Sequence, residues 1–188
     1  MSIDTNPAQT QANAFNHPRL QELMKRASGI PGVGPILLQV LMDIVHPADR
    51  ILGCFYQLEA SAGKVGEPAS NFYSCEVVLI TSAYFIQINL FPKSHTYRKK
   101  KIHTVGEINV KYDPPPMDEI KNVPAGKFLP SNLIMNVHFL DDKGNVAETW
   151  LSESSSPEAI RNLFDIQRIL VRCVGFPLSQ VPASAMQG

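Results

Sequence analysis

Five basic side chains crowd into nine residues of this chain: Lys93, Arg98, Lys99, Lys100 and Lys101. His95 and His103 flank them, and no Asp or Glu occurs between Glu76 and Glu107. The chain as a whole carries 17 basic and 17 acidic side chains, so its formal net charge is zero. The segment is therefore a local asymmetry in a neutral protein, and global charge does not announce a nucleic-acid partner. If the segment is a strand, Arg98 and Lys100 point one way, Lys99 and Lys101 the other. Neither set can be buried unpaired, so the strand must be an edge or an exposed hairpin. Two roles are open. Lysines on an edge strand block pairing with another sheet. The same charges can contact an anion, whether phosphate, an acidic lipid surface or an acidic protein partner. Each basic side chain near an anionic membrane is worth about 1 kcal/mol, enough together for weak association but not for anchoring.

A second candidate is the run Ser28-Gly29-Ile30-Pro31-Gly32-Val33-Gly34-Pro35 between two helical stretches. It resembles the helix-hairpin-helix of DNA-repair proteins, in which hairpin amides at a helix N-terminus cradle a phosphate. That family places a basic residue two positions after the last glycine and a small residue two further on. Here those positions hold Ile36 and Leu38. Nucleic-acid binding through residues 30–34 is thus an alternative function, and nucleic acid is not the expected partner. The other reading makes residues 36–45 an apolar helix whose face (Leu37, Leu38, Leu41, Ile44, Val45) packs on the main domain or on a second copy.

Covalent and metal chemistry find little support. Cys54, Cys75 and Cys173 are far apart and odd in number, which fits buried free thiols better than disulfides or a zinc site. Each lies in an apolar segment, where burial makes a thiol inert. His17, His46, His95, His103 and His138 show no ligand spacing. No carboxylate pair and no Gly-rich phosphate loop in a βαβ unit stands out. The expectation is no enzyme, no metal and no cofactor.

The elements that must position the basic segment follow from pattern. Residues 1–18 are polar and read as a disordered tail, and residues 176–188 as a second tail. Residues 20–27 and 36–45 are helical, inside a helical appendage spanning 19–47. Strands are expected at 51–60, 72–80, 84–91, 97–104, 107–112, 133–140 and 146–151. The Pro-rich stretch 113–130 is a long loop of unassigned role. Leu133, Met135, Val137 and Phe139 alternate with polar residues, as in a half-buried strand. Residues 155–174 form the closing helix. Ser155 and Glu158 have capping-box spacing, and Ile160, Leu163, Phe164, Leu170, Val171 and Val174 share one face.

Seven strands and one C-terminal helix resemble the pleckstrin-homology superfold, in particular its bacterial and GRAM-like members. Leu79-Ile80-Thr81-Ser82-Ala83-Tyr84-Phe85-Ile86 matches their strand–turn–strand pattern, and Ile102-His103-Thr104-Val105-Gly106-Glu107-Ile108 their later paired isoleucines. The resemblance covers roughly residues 51–174. It implies a curved antiparallel barrel or sheet with the helix closing one end, and binding of lipid headgroups, peptides or proteins. Phosphoinositide-binding members carry a lysine near the end of the first strand and a basic pattern on the second. Here Lys64 stands alone in the first loop, and Ser74, Cys75 and Glu76 occupy the second strand. Phe164 takes the place of the usual helix tryptophan.

The sequence therefore predicts a mainly β, pleckstrin-homology-like domain over residues 50–175 with a closing helix and the N-terminal appendage. The expected function is non-enzymatic binding or scaffolding, with Lys93, Arg98, Lys99, Lys100 and Lys101 contacting anions. A small-ligand barrel is the third alternative. The expected setting is cytoplasmic or peripheral to a membrane, with a protein or anionic-lipid partner and self-association through residues 36–45.

Overall fold

The computed structural model describes residues 15–46, 48–60, 73–114 and 129–175. Two helices come first, α1 (Pro18–Ser28) and α2 (Val33–Ile44). Seven strands follow: β1 (Ile51–Ala60), β2 (Tyr73–Thr81), β3 (Tyr84–Phe91), β4 (Ser94–Lys101), β5 (Val105–Asp113), β6 (Asn132–Leu140) and β7 (Val146–Ser154). A single 3₁₀ turn, Ile102–Thr104, joins β4 to β5, and α3 (Pro157–Val174) ends the described chain. The strands form two antiparallel sheets, β1-β2-β3-β4 and β5-β6-β7. The described strands do not close into a barrel.

Strand β2 of the four-stranded sheet is buried on both faces, which explains why Val77-Val78-Leu79-Ile80 is apolar without alternation. On the sheet's outer face Cys54, Tyr56, Cys75, Val77, Leu79, Ile86, Ile88 and Leu90 meet Leu20, Leu23 and Ala27 of α1 and Leu37, Val40, Leu41 and Ile44 of α2. On its inner face Phe55, Val78, Ile80 and Phe85 meet Leu133, Met135, Val137, Phe139 and Trp150 of the second sheet. Ala159, Ile160, Leu163, Ile166 and Leu170 of α3 close that inner core. Phe85 lies edge-on to Phe139, with ring centroids 5.1 Å apart, and 5.2 Å from Trp150. These rings occupy the space a small-ligand barrel would leave open.

Strand register sorts the inner face of the first sheet into rows. Gly53, Ile80, Phe85 and Lys100 lie side by side, then Phe55, Val78, Gln87 and Arg98, then Gln57, Glu76, Asn89 and Thr96. The face thus turns from apolar to polar along the strands. Glu76 marks the border: its Oε1 accepts hydrogen bonds from Trp150 Nε1 at 3.0 Å and Gln87 Nε2 at 2.8 Å. Gly53 is the point where α3 crosses β1. A Cβ there would stand 2.8 Å from Cδ1 of Ile169 and 3.2 Å from Cδ1 of Ile166, so a side chain would force these isoleucine ends to shift. Gly32, at φ 81°, is the N-cap of α2 and turns the chain between the helices in a conformation that disfavours other residues.

Several details depart from the sequence reading. Helix α1 starts at Pro18 and Phe15 packs against the outer core, so order begins inside the segment read as a tail. Leu38, assigned to the packing face of α2, is 39% exposed, and Val40 takes its place inside. The segment read as an appendage lies on the sheet, one of the two packings left open. In α3 the buried face contains Ile166, which was missed, while Phe164 is only half-buried. The N-cap is Ser156, and no side chain caps it; instead Ser154 Oγ accepts the Ser156 N–H at 3.2 Å. The expected Ser155–Glu158 capping box does not form. Strand β4 starts earlier than expected and ends at Lys101, with 102–104 as the 3₁₀ turn. Residues 1–14 and 176–188, most of the 113–130 loop, and Lys64 lie outside the described residues.

Candidate functional site on the β3–β4 hairpin

Strand β4 is an edge: among the described strands it pairs with β3 alone. Its register against β3 sets the direction of every cation. Lys100 lies opposite Phe85 and Arg98 opposite Gln87, so both project from the inner face. Lys99 lies opposite Ile86 and Lys101 opposite Tyr84, so both project from the outer face. Lys93 sits in the turn between the strands. The alternation read from the sequence holds, and it divides the five cations between different surroundings.

On the inner face the partner is Glu148 of β7. Arg98 Nη1 donates to Glu148 Oε1 at 2.8 Å, and Lys100 Nζ pairs with Glu148 Oε2. The hydrogen bond from Lys100 holds the Glu148 carboxyl below its usual range against an upward push from burial, with lesser help from the Lys100 charge and from the hydrogen bond and charge of Arg98. The three side chains remain partly exposed and line an open depression with Lys99 and Ala147. The asymmetry seen in sequence is thus partly offset by one carboxylate fifty residues further on. On the outer face Lys99 Nζ donates to the carbonyl of Ile44, the last residue of α2, at 3.0 Å. It also lies 4.1 Å from the centroid of the Tyr84 ring. A cation at a helix C-terminus and over an aromatic face is stabilised by both. Lys99 therefore ties the edge strand to α2.

Lys93 and Lys101 make no ion pair or side-chain hydrogen bond among the described residues. The hairpin also exposes two aromatics on opposite faces: Phe91, beside Lys93 at the turn, is 45% exposed, and Tyr97, within β4, is 55% exposed. The structure thus keeps all five predicted residues on one hairpin but gives three of them internal partners. Glu148, the Ile44 carbonyl and the Tyr84 ring had no local signal in the sequence, because each is brought in by tertiary folding.

The thiols lie elsewhere. Burial pushes both Cys54 and Cys75 up to about 12, and burial also raises Cys173. No described helix is long and apolar enough to cross a membrane.

No family model and no curated protein matches the chain. Among solved structures it is similar to the hSac2 domain from human phosphoinositide phosphatase Sac2, at 11% sequence identity and a TM-score of 0.44, with 81% of each chain covered.

Proposed function

We propose that this chain is a non-enzymatic binding module of pleckstrin-homology-like architecture whose β3–β4 hairpin contacts an anionic membrane surface. The order of elements supports the architecture: a four-stranded sheet, a three-stranded sheet and a closing helix. One observation carries the function. Exposed Phe91 sits beside Lys93 at the hairpin turn, exposed Tyr97 lies within β4, and neither Lys93 nor Lys101 has an acidic partner among the described residues. Aromatic rings with basic side chains suit a membrane interface, where rings enter the headgroup layer and cations stay at the charged surface. An acidic soluble protein would use the charges but gain less from two exposed rings.

The magnitudes fit reversible attachment. Five cations against one carboxylate partner among the described residues, Glu148, leave an excess of at most four, divided between the two faces of the hairpin. At about 1 kcal/mol each that gives at most about 4 kcal/mol, the scale of a millimolar contact before the rings add apolar burial. The thiols contribute no nucleophile at neutral pH, since burial keeps Cys54 and Cys75 protonated.

Co-sedimentation with phosphatidylcholine vesicles, with and without phosphatidylserine, tests this. Binding should require the acidic lipid and weaken as salt rises. The double change Lys93→Gln, Lys101→Gln should lower it by about 2 kcal/mol, roughly thirtyfold, with an unchanged melting curve. Absence of vesicle binding even at low salt would remove the membrane reading. Binding to an acidic polypeptide instead would assign the hairpin to a protein partner.

A further inference from the structure

A second basic surface lies at the β1 edge of the first sheet, the edge opposite β4. A groove of ≈ 460 Å³ runs between the start of α1, the start of β1 and α3, and His17, Arg19, Gly53, Cys54, Arg168 and Arg172 help to line it. We propose that this groove binds a phosphate group, held by the guanidinium groups of Arg19, Arg168 and Arg172.

Charge is the first argument. Three arginines face one lining carboxylate, Asp165, which pairs with Arg168. Glu158, outside the groove, forms an ion pair with Arg19 Nη1 at 3.6 Å, longer than a hydrogen bond, and divides its charge with Arg26 at 3.9 Å; the Arg19 side chain is 29% exposed. The Cys54 thiol adds no negative charge, because burial keeps it protonated.

Unsatisfied hydrogen bonding is the second argument. Arg19 Nη1 and His17 Nδ1 are buried and find no hydrogen-bond partner among the described residues. A buried guanidinium N–H without an acceptor is costly, and a phosphate oxygen is the acceptor that fits a planar fork of donors. Helix α1 also begins here, with His17 as N-cap and Pro18 in the first turn, and no side chain caps it. Its positive end adds to the field of the arginines. That field is felt at His17, whose imidazole is held below its usual range first by burial and then by the Arg19 charge. An arriving anion would oppose the second effect.

These observations come from helices and from arginines, not from the β3–β4 hairpin, so the inference stands apart from the membrane reading. The ligand chemistry is a phosphate group, which either a free phosphorylated molecule or a lipid headgroup can bring.

The test follows the His17 ring by NMR in the full chain. Three probes are titrated: inorganic phosphate, a soluble inositol trisphosphate, and phosphatidylcholine vesicles containing a phosphatidylinositol phosphate. His17 should shift with saturation while His46 and His103 stay in place. A shift with inorganic phosphate assigns a free phosphate site. A shift only with the inositol probe or the vesicles assigns a headgroup. Arg168→Gln and Arg172→Gln, both at exposed positions and checked by melting curves, should each weaken the response by about tenfold. An unmoved His17 with all three probes overturns the proposal. So does a response unchanged in both arginine variants. Failure here leaves the hairpin untouched, because His17 reports on this groove alone.

Discussion

Replacing Leu37 with Ala should unfold the far side of the molecule more easily. Leu37 is fully buried between α2 and the outer face of the first sheet, while its neighbour Leu38 is 39% exposed. Truncating a fully buried leucine costs its transfer free energy and leaves a cavity, together about 3–5 kcal/mol. The same change at Leu38 removes a partly wet side chain and should cost less than about 1 kcal/mol. For a chain of this length each kcal/mol moves the melting midpoint by about 2–4 °C, so Leu37→Ala should lower it by roughly 6–20 °C. The single tryptophan makes the assay specific. Trp150 lies in the inner core, packed against Phe85 and away from both N-terminal helices. The first sheet carries both cores on its two faces, so loss of one cover should propagate to the other. Urea unfolding followed by Trp150 fluorescence should therefore show the shift, in step with helical circular dichroism. A variant that loses helical signal while the Trp150 midpoint stays fixed would refute the reasoning, and the helices would then be a separable appendage.

Two further outcomes follow from the titratable groups. With Cys54 and Cys75 buried and raised to about 12, a thiol reagent should modify Cys173 first in the native protein and reach the other two only on unfolding. Fast native labelling of two or three thiols would contradict the packing of the outer core. Glu148 has a lowered folded pKa, so its pairing with Lys100 and Arg98 stabilises the fold above the unfolded carboxyl value and is lost as pH falls through the folded one. Wild type should thus lose more stability than Glu148→Gln between about pH 5 and about pH 3. Equal losses would mean that the pair does not hold β4 to β7.

Much of the fold was legible because its strongest signals are local. The alternation of Leu133, Met135, Val137 and Phe139 became the inner face of β6, buried as read. Gly144 in the β6–β7 turn and Gly175 at the end of α3, both at positive φ, are local signals of the same kind. What escaped was tertiary. The strand at 72–80 was legible, yet nothing local said that α1 and α2 would cover its outer face. Phe164 and Ile166 were misjudged because helical periodicity fixes a stripe only to within about a residue, and the contact with β1 at Gly53 selects Ile166. Ser155 and Glu158 had the right spacing for a capping box, but Ser154 supplied the hydroxyl from the end of β7. For the basic segment, chain order gave the edge strand and the alternation. Sequence could not give Glu148, the Ile44 carbonyl or Tyr84, which decide how many of the five charges stay free.

Glu148 also offers the most direct test of the hairpin as an anion-contacting surface. Among the described residues it is the one carboxylate that pairs with Arg98 and Lys100. Binding of wild type and Glu148→Gln to phosphatidylserine-containing vesicles should be measured side by side at low and physiological salt. If the hairpin contacts anions, removing this carboxylate raises the free charge and should strengthen binding by about 1 kcal/mol, roughly fivefold, even though it removes an ion pair from the fold. The gain should shrink as salt rises. If the cations serve only to guard the edge and tie β4 to its neighbours, the variant will show no gain at any salt, or binding will be absent from both proteins.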